Sequence, residues 1–213
     1  MLRVLFLVLD FLVPFGLLLR SCENNKPFDK WQMLFLRCLP QSFFAFWLFS
    51  FVPLVGGFLY ILVLVPLSAV RHWHVKQTHT VTARLNVLLV YLVVILIGFG
   101  GIWSFVGHTF LADQVASQIG WTIGSPFQTE LAFYTLGTSI AALLAVWIRD
   151  HLITAIVLSK SVFWLGAAYV HLLDAFAHQN FSPLNVGAPL VGDIIYPVIL
   201  LYLLYRYWRP ASI

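Results

Sequence analysis

Histidine and carboxylate side chains stand at the ends of several long apolar segments of this chain. Four of them lie on four different segments: His108, Glu130, His171 and Asp193. Imidazole nitrogens and carboxylate oxygens are ligands that zinc, iron and manganese accept. Ionisable groups in or near hydrocarbon are costly unless they are paired, hydrated or bound to an ion, so they usually mark functional sites. The four residues therefore predict a metal site formed where the segments meet.

Further polar residues surround this predicted site. Asp174 and His178 follow His171 at spacings of three and seven residues, which places all three on one helix face. Asn180 and Asn185 belong to a turn-rich stretch whose amides would line the mouth of the site. We assign these four residues, together with Tyr134, to the surroundings or entrance of the site.

The same residues also fit two other interpretations. Carboxylates at helix N-termini and histidines at helix C-termini are favoured by the helix dipole, so the set could only cap and pin helix ends. A pathway for protons or ions would use similar groups. The sequence leaves the three interpretations open.

The amino-acid composition predicts the kind of secondary structure that positions these side chains. Hydrophobic residues make up 61% of the 213 residues and charged residues only 9%, against about 25% charged in a soluble domain. Because a helix needs about 20 apolar residues to cross a bilayer, we predict an all-α, polytopic membrane bundle of about six transmembrane helices. The predicted segments are residues 4–19, 43–67, 86–106, 130–148, 152–173 and 191–207.

Basic residues predict the orientation of these segments, because Lys and Arg concentrate in cytoplasmic loops. With both termini inside, seven flanking basic residues fall inside and four outside. The lipid bilayer is then the main partner, in a cytoplasmic (inner) membrane, and the net charge of +4 sets topology and indicates no nucleic-acid partner. The four candidate ligands fall on the outer side.

The N-terminal third is expected to form a separate segment. We divide the chain into a two-helix segment with an extracytoplasmic amphipathic loop, residues 1–85, and a four-helix core, residues 86–213. That loop holds Cys22 and Cys38, which would lie in an oxidising compartment where a disulfide is allowed. Pro53 and the glycines after it leave open whether 43–67 is one span or a re-entrant hairpin.

Three other features received a structural interpretation. Lys160 lies about two turns inside the fifth segment, and we expect its side chain to extend to the cytoplasmic interface. The stretch from Arg71 to His74 is expected to be a solvated basic loop. Within 109–129, near-helical spacing of apolar residues predicts a short helix that covers the outer end of the bundle.

Several short motifs resemble DUF6790, a family of small bacterial membrane proteins of unknown function. They are Gly124-Ser125-Pro126-Phe127-Gln128 with Glu130, Leu165-Gly166-Ala167-Ala168 with His171, and Asn180-Phe181, Pro183, Asn185, Gly187 and Asp193. The resemblance covers roughly the second half of the chain. It implies a four-helix core, preceded here by two additional helices, and it implies no activity.

Three functions follow as expectations. The first is a membrane protein with a metal-dependent His/carboxylate site, and the second is a non-catalytic subunit or scaffold, in a complex with another membrane protein or with further copies of itself. The third is a carrier of small solutes or protons. Walker, Rossmann, GxSxG and HExxH motifs are missing from the sequence, which argues against nucleotide-driven pumps, common serine hydrolases and zincins. Whether the protein is an enzyme stays open.

Overall fold

A computed structural model describes residues 65–75 and 80–209, all of which belong to one compact unit. Its regular elements are helices: α1 (Val65–Val75), α2 (Val81–Phe110), α3 (Ala112–Ile119), α4 (Phe127–Leu144), α5 (His151–His178), α6 (Pro183–Val186) and α7 (Ala188–Trp208). The prediction of an all-helical fold is therefore confirmed for the described residues. The Cys22–Cys38 loop, the first predicted segment and residues 43–64 of the second lie outside them.

Three helical stretches are long and apolar enough to cross a membrane: α2, α5, and α6 together with α7. Helix α4, predicted as the fourth span, is helical but falls outside this set. It has 18 residues, or roughly 27 Å of helix, and its first turn carries Gln128 and Glu130. The described residues thus support a membrane protein with three candidate spans. The six-span count, the orientation and the inner-membrane location stay predictions.

Helix α2 is regular at both ends and π-helical in the middle. Thr80 caps its start by accepting a hydrogen bond from the Ala83 amide at 3.2 Å. The central turn, Val93–Phe99, adopts the wider π geometry, which disturbs the normal carbonyl pairing. Ser139 of α4 reaches the Ile97 carbonyl of this turn at 3.1 Å. The same hydroxyl lies 2.6 Å from the Thr135 carbonyl of its own helix, so its single hydrogen is divided between the two acceptors.

Close approach of α2 and α4 depends on glycine at position 101. A Cβ atom there would collide with the Ser139 hydroxyl, whereas a Cβ at Gly100 would meet only the Ile95 carbonyl at 3.8 Å. Gly101→Ala is expected to lower the free energy of unfolding by about 1–3 kcal/mol through overpacking. Thermal unfolding in detergent, compared with the matched Gly100→Ala variant, measures the difference. Equal stability of the two variants would contradict the packing described here.

Helices α5 and α7 form an antiparallel pair. Trp208 at the end of α7 donates from Nε1 to Thr154 Oγ1 near the start of α5 at 2.9 Å. At the other end of the pair, His171 of α5 faces Asp193 of α7. Helix α5 runs to His178, five residues beyond the predicted end of its segment, so Asp174 and His178 are helical. The loop after it is correspondingly short.

The segment around His72 differs from the expected solvated loop. Helix α1 includes it, and His72 is only 3% exposed, with its Nδ1 3.4 Å from the Tyr91 hydroxyl of α2. The short helix predicted within 109–129 is present as α3. It lies between the end of α2 and the start of α4, next to the end of the α5–α7 pair that carries His171.

Candidate functional site

A buried polar pair joins α5 and α7. His171 Nε2 lies 3.9 Å from Asp193 Oδ2, and both side chains are largely buried, at 10% and 14% exposure. The distance is longer than a hydrogen bond but short enough for strong electrostatic coupling. A histidine and a carboxylate, predicted from separate segments, thus face each other inside the helix bundle.

Asn185, in α6, holds the other side of the His171 ring. Its Oδ1 lies 2.7 Å from His171 Nδ1, and its Nδ2 donates to the carbonyls of Asn180, at 2.7 Å, and of His171, at 3.3 Å. Asn185 is completely buried. A four-residue helix with proline at its first turn presents this amide.

These contacts fix which nitrogen of His171 carries a hydrogen. Both amide hydrogens of Asn185 point at carbonyl oxygens, which only accept, so its Oδ1 must be the atom facing the ring. His171 Nδ1 therefore donates, and a neutral ring presents the lone pair of Nε2 towards Asp193. Two acceptors then face each other across 3.9 Å. A proton, a hydrogen-bond donor or a cation between them would stabilise this arrangement.

Lys160 is the third charged group of this region. It is 3% exposed, on an apolar helix, and Asp193 is the charged group that acts on it electrostatically. Its Nζ lies over three aromatic rings: Phe163 at 4.7 Å, Trp164 at 5.0 Å and Tyr134 at 5.6 Å. The expected extension to the cytoplasmic interface is therefore wrong. Cation–π contacts hold the ammonium inside the bundle instead.

An aromatic and polar layer covers the pair at the end of the bundle. The Trp121 ring stacks on His171, with centroids 5.7 Å apart and an interplanar angle of 13°. Its Nε1 donates to Asp174 at 3.1 Å, and Asp174 also accepts from Asn180 at 2.6 Å and contacts His178 Nδ1 at 2.9 Å. Asp174 thus holds the covering indole in place. His178 is 72% exposed and marks the outer limit of the network.

Gly120 lets the covering segment reach the loop after α5. Its φ is +85°, and a Cβ there would collide with Asn180 and Ser182. Gly124 has a similar φ of +81° but open space around it. Both alanine variants bear the left-handed strain of about 1–2 kcal/mol, so Gly120→Ala is expected to be the less stable by about a further 1–3 kcal/mol. Thermal unfolding of the two variants checks this, and a larger loss for Gly124→Ala would contradict it.

The remaining predicted residues lie around this centre without joining it. His108 Nδ1 pairs with Gln128 Oε1 at 2.5 Å, and Glu130 is exposed at the start of α4. Among the described residues, no three His, Cys, Asp or Glu side chains form a group that could hold a metal ion. The structure therefore brings together His171 and Asp193 of the four predicted ligands. Tyr134, predicted near the entrance, forms one wall around Lys160.

Sequence reasoning favoured an interfacial over a buried position for Lys160, and it did not include Trp121 and Gln128 among the site residues. For Lys160 a signal exists: aromatic residues follow it at three and four positions, the spacing at which helix neighbours touch. For Trp121 and Gln128 the partners are more than 15 residues away along the chain. No local pattern marks them.

The described residues form a helical protein with three candidate membrane spans and a buried group of ionisable side chains. The chain belongs to the family of unknown function DUF6790, whose model matches residues 55–212. The match confirms the resemblance and begins earlier than the second half of the chain. No curated protein and no solved structure matches the chain.

Proposed function

We propose that this membrane protein binds a divalent metal ion, of the zinc, iron or manganese type, between His171 and Asp193. The observation that carries the proposal is the pair of facing acceptors, the Nε2 lone pair and the carboxylate oxygen, 3.9 Å apart. An uncompensated pair of acceptors is unfavourable in a buried site. A cation between them turns the same geometry into an attraction.

The chemistry of these donors suits such an ion. Bonds to histidine nitrogen and to carboxylate oxygen are each about 2.0–2.2 Å long, so an ion between the two atoms can contact both. Asn185 supports this role, because a metal-binding histidine usually donates its second N–H to a neighbouring oxygen that orients the ring. Two protein ligands are one fewer than catalytic zinc sites usually have, so water or substrate would occupy the remaining positions.

Metal analysis of the purified full chain tests the proposal. We expect stoichiometric metal in the wild-type protein and its loss in a His171→Ala variant. His178→Ala is the matched control, since it removes a histidine from the same helix at an exposed position. Wild-type protein without metal, or a His171→Ala variant that keeps the wild-type content, would contradict the proposal.

A proton-coupled carrier is the second candidate, and one observation favours it. Polar contacts run from exposed His178 to Asp174 and Asn180, and then through Asn185 to His171. Such a chain connects the end of the bundle with the buried pair, where a proton could take the place of a metal ion. Proton uptake into reconstituted vesicles under an imposed pH gradient, abolished in His171→Ala, would support this function, and its absence would count against it.

A further inference from the structure

We infer that Arg206 and Arg209, together with Tyr202 and Tyr205, bind the phosphate group of an anionic phospholipid at the end of α7. This surface lies at the end of the α5–α7 pair opposite to His171, so its occupation does not depend on the proposed metal ion. Its partner is a membrane lipid whose headgroup carries a net negative charge.

Both arginines turn back along α7 and lie against tyrosine side chains. Arg206 is in the last turn of the helix, and its Nη1 donates to the Tyr202 hydroxyl at 3.2 Å. Arg209 directly follows the helix, and its Cζ lies 4.5 Å from the centroid of the Tyr205 ring. Each tyrosine precedes its arginine by four residues, which is about one helical turn. Both guanidinium groups therefore lie beside the last turns of a candidate membrane span instead of extending away from it.

The two guanidinium groups keep most of their hydrogen-bonding capacity. A guanidinium has five N–H donors, and the bond to Tyr202 is the only hydrogen bond of Arg206 among the described residues. Neither Arg206 nor Arg209 forms an ion pair within the part of the chain that the structure describes. Because the Tyr202 hydroxyl accepts from Arg206, its own hydrogen is available to a further acceptor. Phosphate oxygens match these donors, since guanidinium and phosphate form paired, charge-assisted hydrogen bonds.

The two tyrosines place this surface on the outside of the bundle. Tyr202 and Tyr205 are each 53% exposed, and exposed aliphatic side chains, among them Val198 and Ile199, precede them on α7. An exposed apolar face on a candidate span is expected to contact lipid, and tyrosine at the end of a span typically lies at the level of the headgroups. The phosphate layer of the membrane is therefore expected beside both arginines.

The charge distribution favours an anionic partner at this end. No Lys or Arg occurs in residues 85–148 or 161–205, so positive charge gathers at the start of α5 and the end of α7. Asp150 is the only carboxylate at this end among the described residues, and it accepts a hydrogen bond from the Tyr207 hydroxyl. The opposite end exposes two carboxylates, Asp113 and Glu130. An anionic membrane surface attracts basic residues beside a span, by about fivefold in affinity for each.

Native mass spectrometry of the full-length protein in detergent, with equal amounts of phosphatidylglycerol and phosphatidylcholine, tests this surface. The wild type is expected to retain the anionic phosphatidylglycerol in preference to the zwitterionic lipid. Replacing both arginines, in Arg206→Gln/Arg209→Gln, should lower that preference by at least about tenfold. Arg71→Gln/Arg84→Gln is the matched control, because it removes two positive charges from exposed positions on α1 and α2. We expect this control to keep the preference.

Three results would overturn the inference. Equal retention of both lipids by the wild type would indicate apolar contact only, and an equal loss of preference in both double variants would indicate attraction by net charge alone. Displacement of the lipid by inorganic phosphate at the same concentration would indicate a site for a free anion. If the double variant fails to fold, Arg209→Gln replaces an exposed residue outside the helix and should lower the preference about fivefold. An unchanged preference in that single variant also contradicts the inference.

Discussion

Asp193→Asn is expected to be among the most damaging single substitutions in the described core, lowering the free energy of unfolding by up to about 3 kcal/mol. The reason is Lys160, whose buried ammonium would lose the carboxylate that compensates it. Without this carboxylate, the buried ammonium loses the opposite charge that acts on it in a medium that solvates it poorly. Unfolding of the purified protein in detergent by heat or denaturant measures the loss.

A double-mutant cycle gives this prediction its control. Lys160→Met combined with Asp193→Asn removes both charges, and we expect it to recover more than half of the stability lost in Asp193→Asn. Asp113→Asn, at an exposed position on α3, removes a carboxylate without such a partner and should leave stability unchanged. Simple additivity of the Lys160 and Asp193 effects would show that the two groups are not coupled.

Asn185→Leu is expected to be comparably damaging. The leucine has the same branched shape, but it deprives the His171 ring and the Asn180 carbonyl of their partners in a fully buried position. Unsatisfied buried polar groups cost about 1–3 kcal/mol each, so we expect a loss of about 2–4 kcal/mol in stability. Loss of the group that orients His171 should also weaken metal affinity by roughly 10–100-fold.

Two measurements on the same protein preparation check the Asn185 prediction. Thermal unfolding reports the stability loss, and Co²⁺ titration reports the affinity. Gln179→Leu is a suitable comparison, because Gln179 is exposed and its amide donates only to the carbonyl of Phe176. An Asn185→Leu protein as stable as this control, or one with wild-type affinity, would show that the amide does not hold the ring.

Much of the helical architecture follows from the sequence by elementary rules. Long apolar runs predict α2, α5 and α7, because only helices satisfy their own backbone in lipid. The same reasoning, with the order of the segments, places His171 and Asp193 at one end of the bundle. The same reasoning predicts a membrane span at α4, but the polar first turn of this helix shortens its apolar stretch, and α4 is not among the candidate spans. The reasoning also treats His72 as solvated, because hydropathy alone does not show that α1 packs against α2.

Details of the site depend on contacts that no local pattern encodes. The orientation of the His171 ring is set by Asn185, which a separate short helix delivers. Aromatic rings on α4 and α5 hold the Lys160 side chain inside the bundle. The preference of lysine for water had suggested that it extends to the cytoplasmic interface. Neither His108 nor Glu130 joins the buried pair, because the former pairs with Gln128 and the latter lies at the surface. Residue types indicate the chemistry, but tertiary packing selects the residues that perform it.

Anomalous scattering from an experimental structure of the full chain, grown with Co²⁺ or Zn²⁺, tests the central claim most directly. The account predicts an anomalous peak between His171 Nε2 and Asp193 Oδ2, within about 2.0–2.2 Å of each atom. It also predicts no peak at this place in His171→Ala protein prepared in the same way. A wild-type map without a peak there, or with the metal bound only at other residues, would contradict the account.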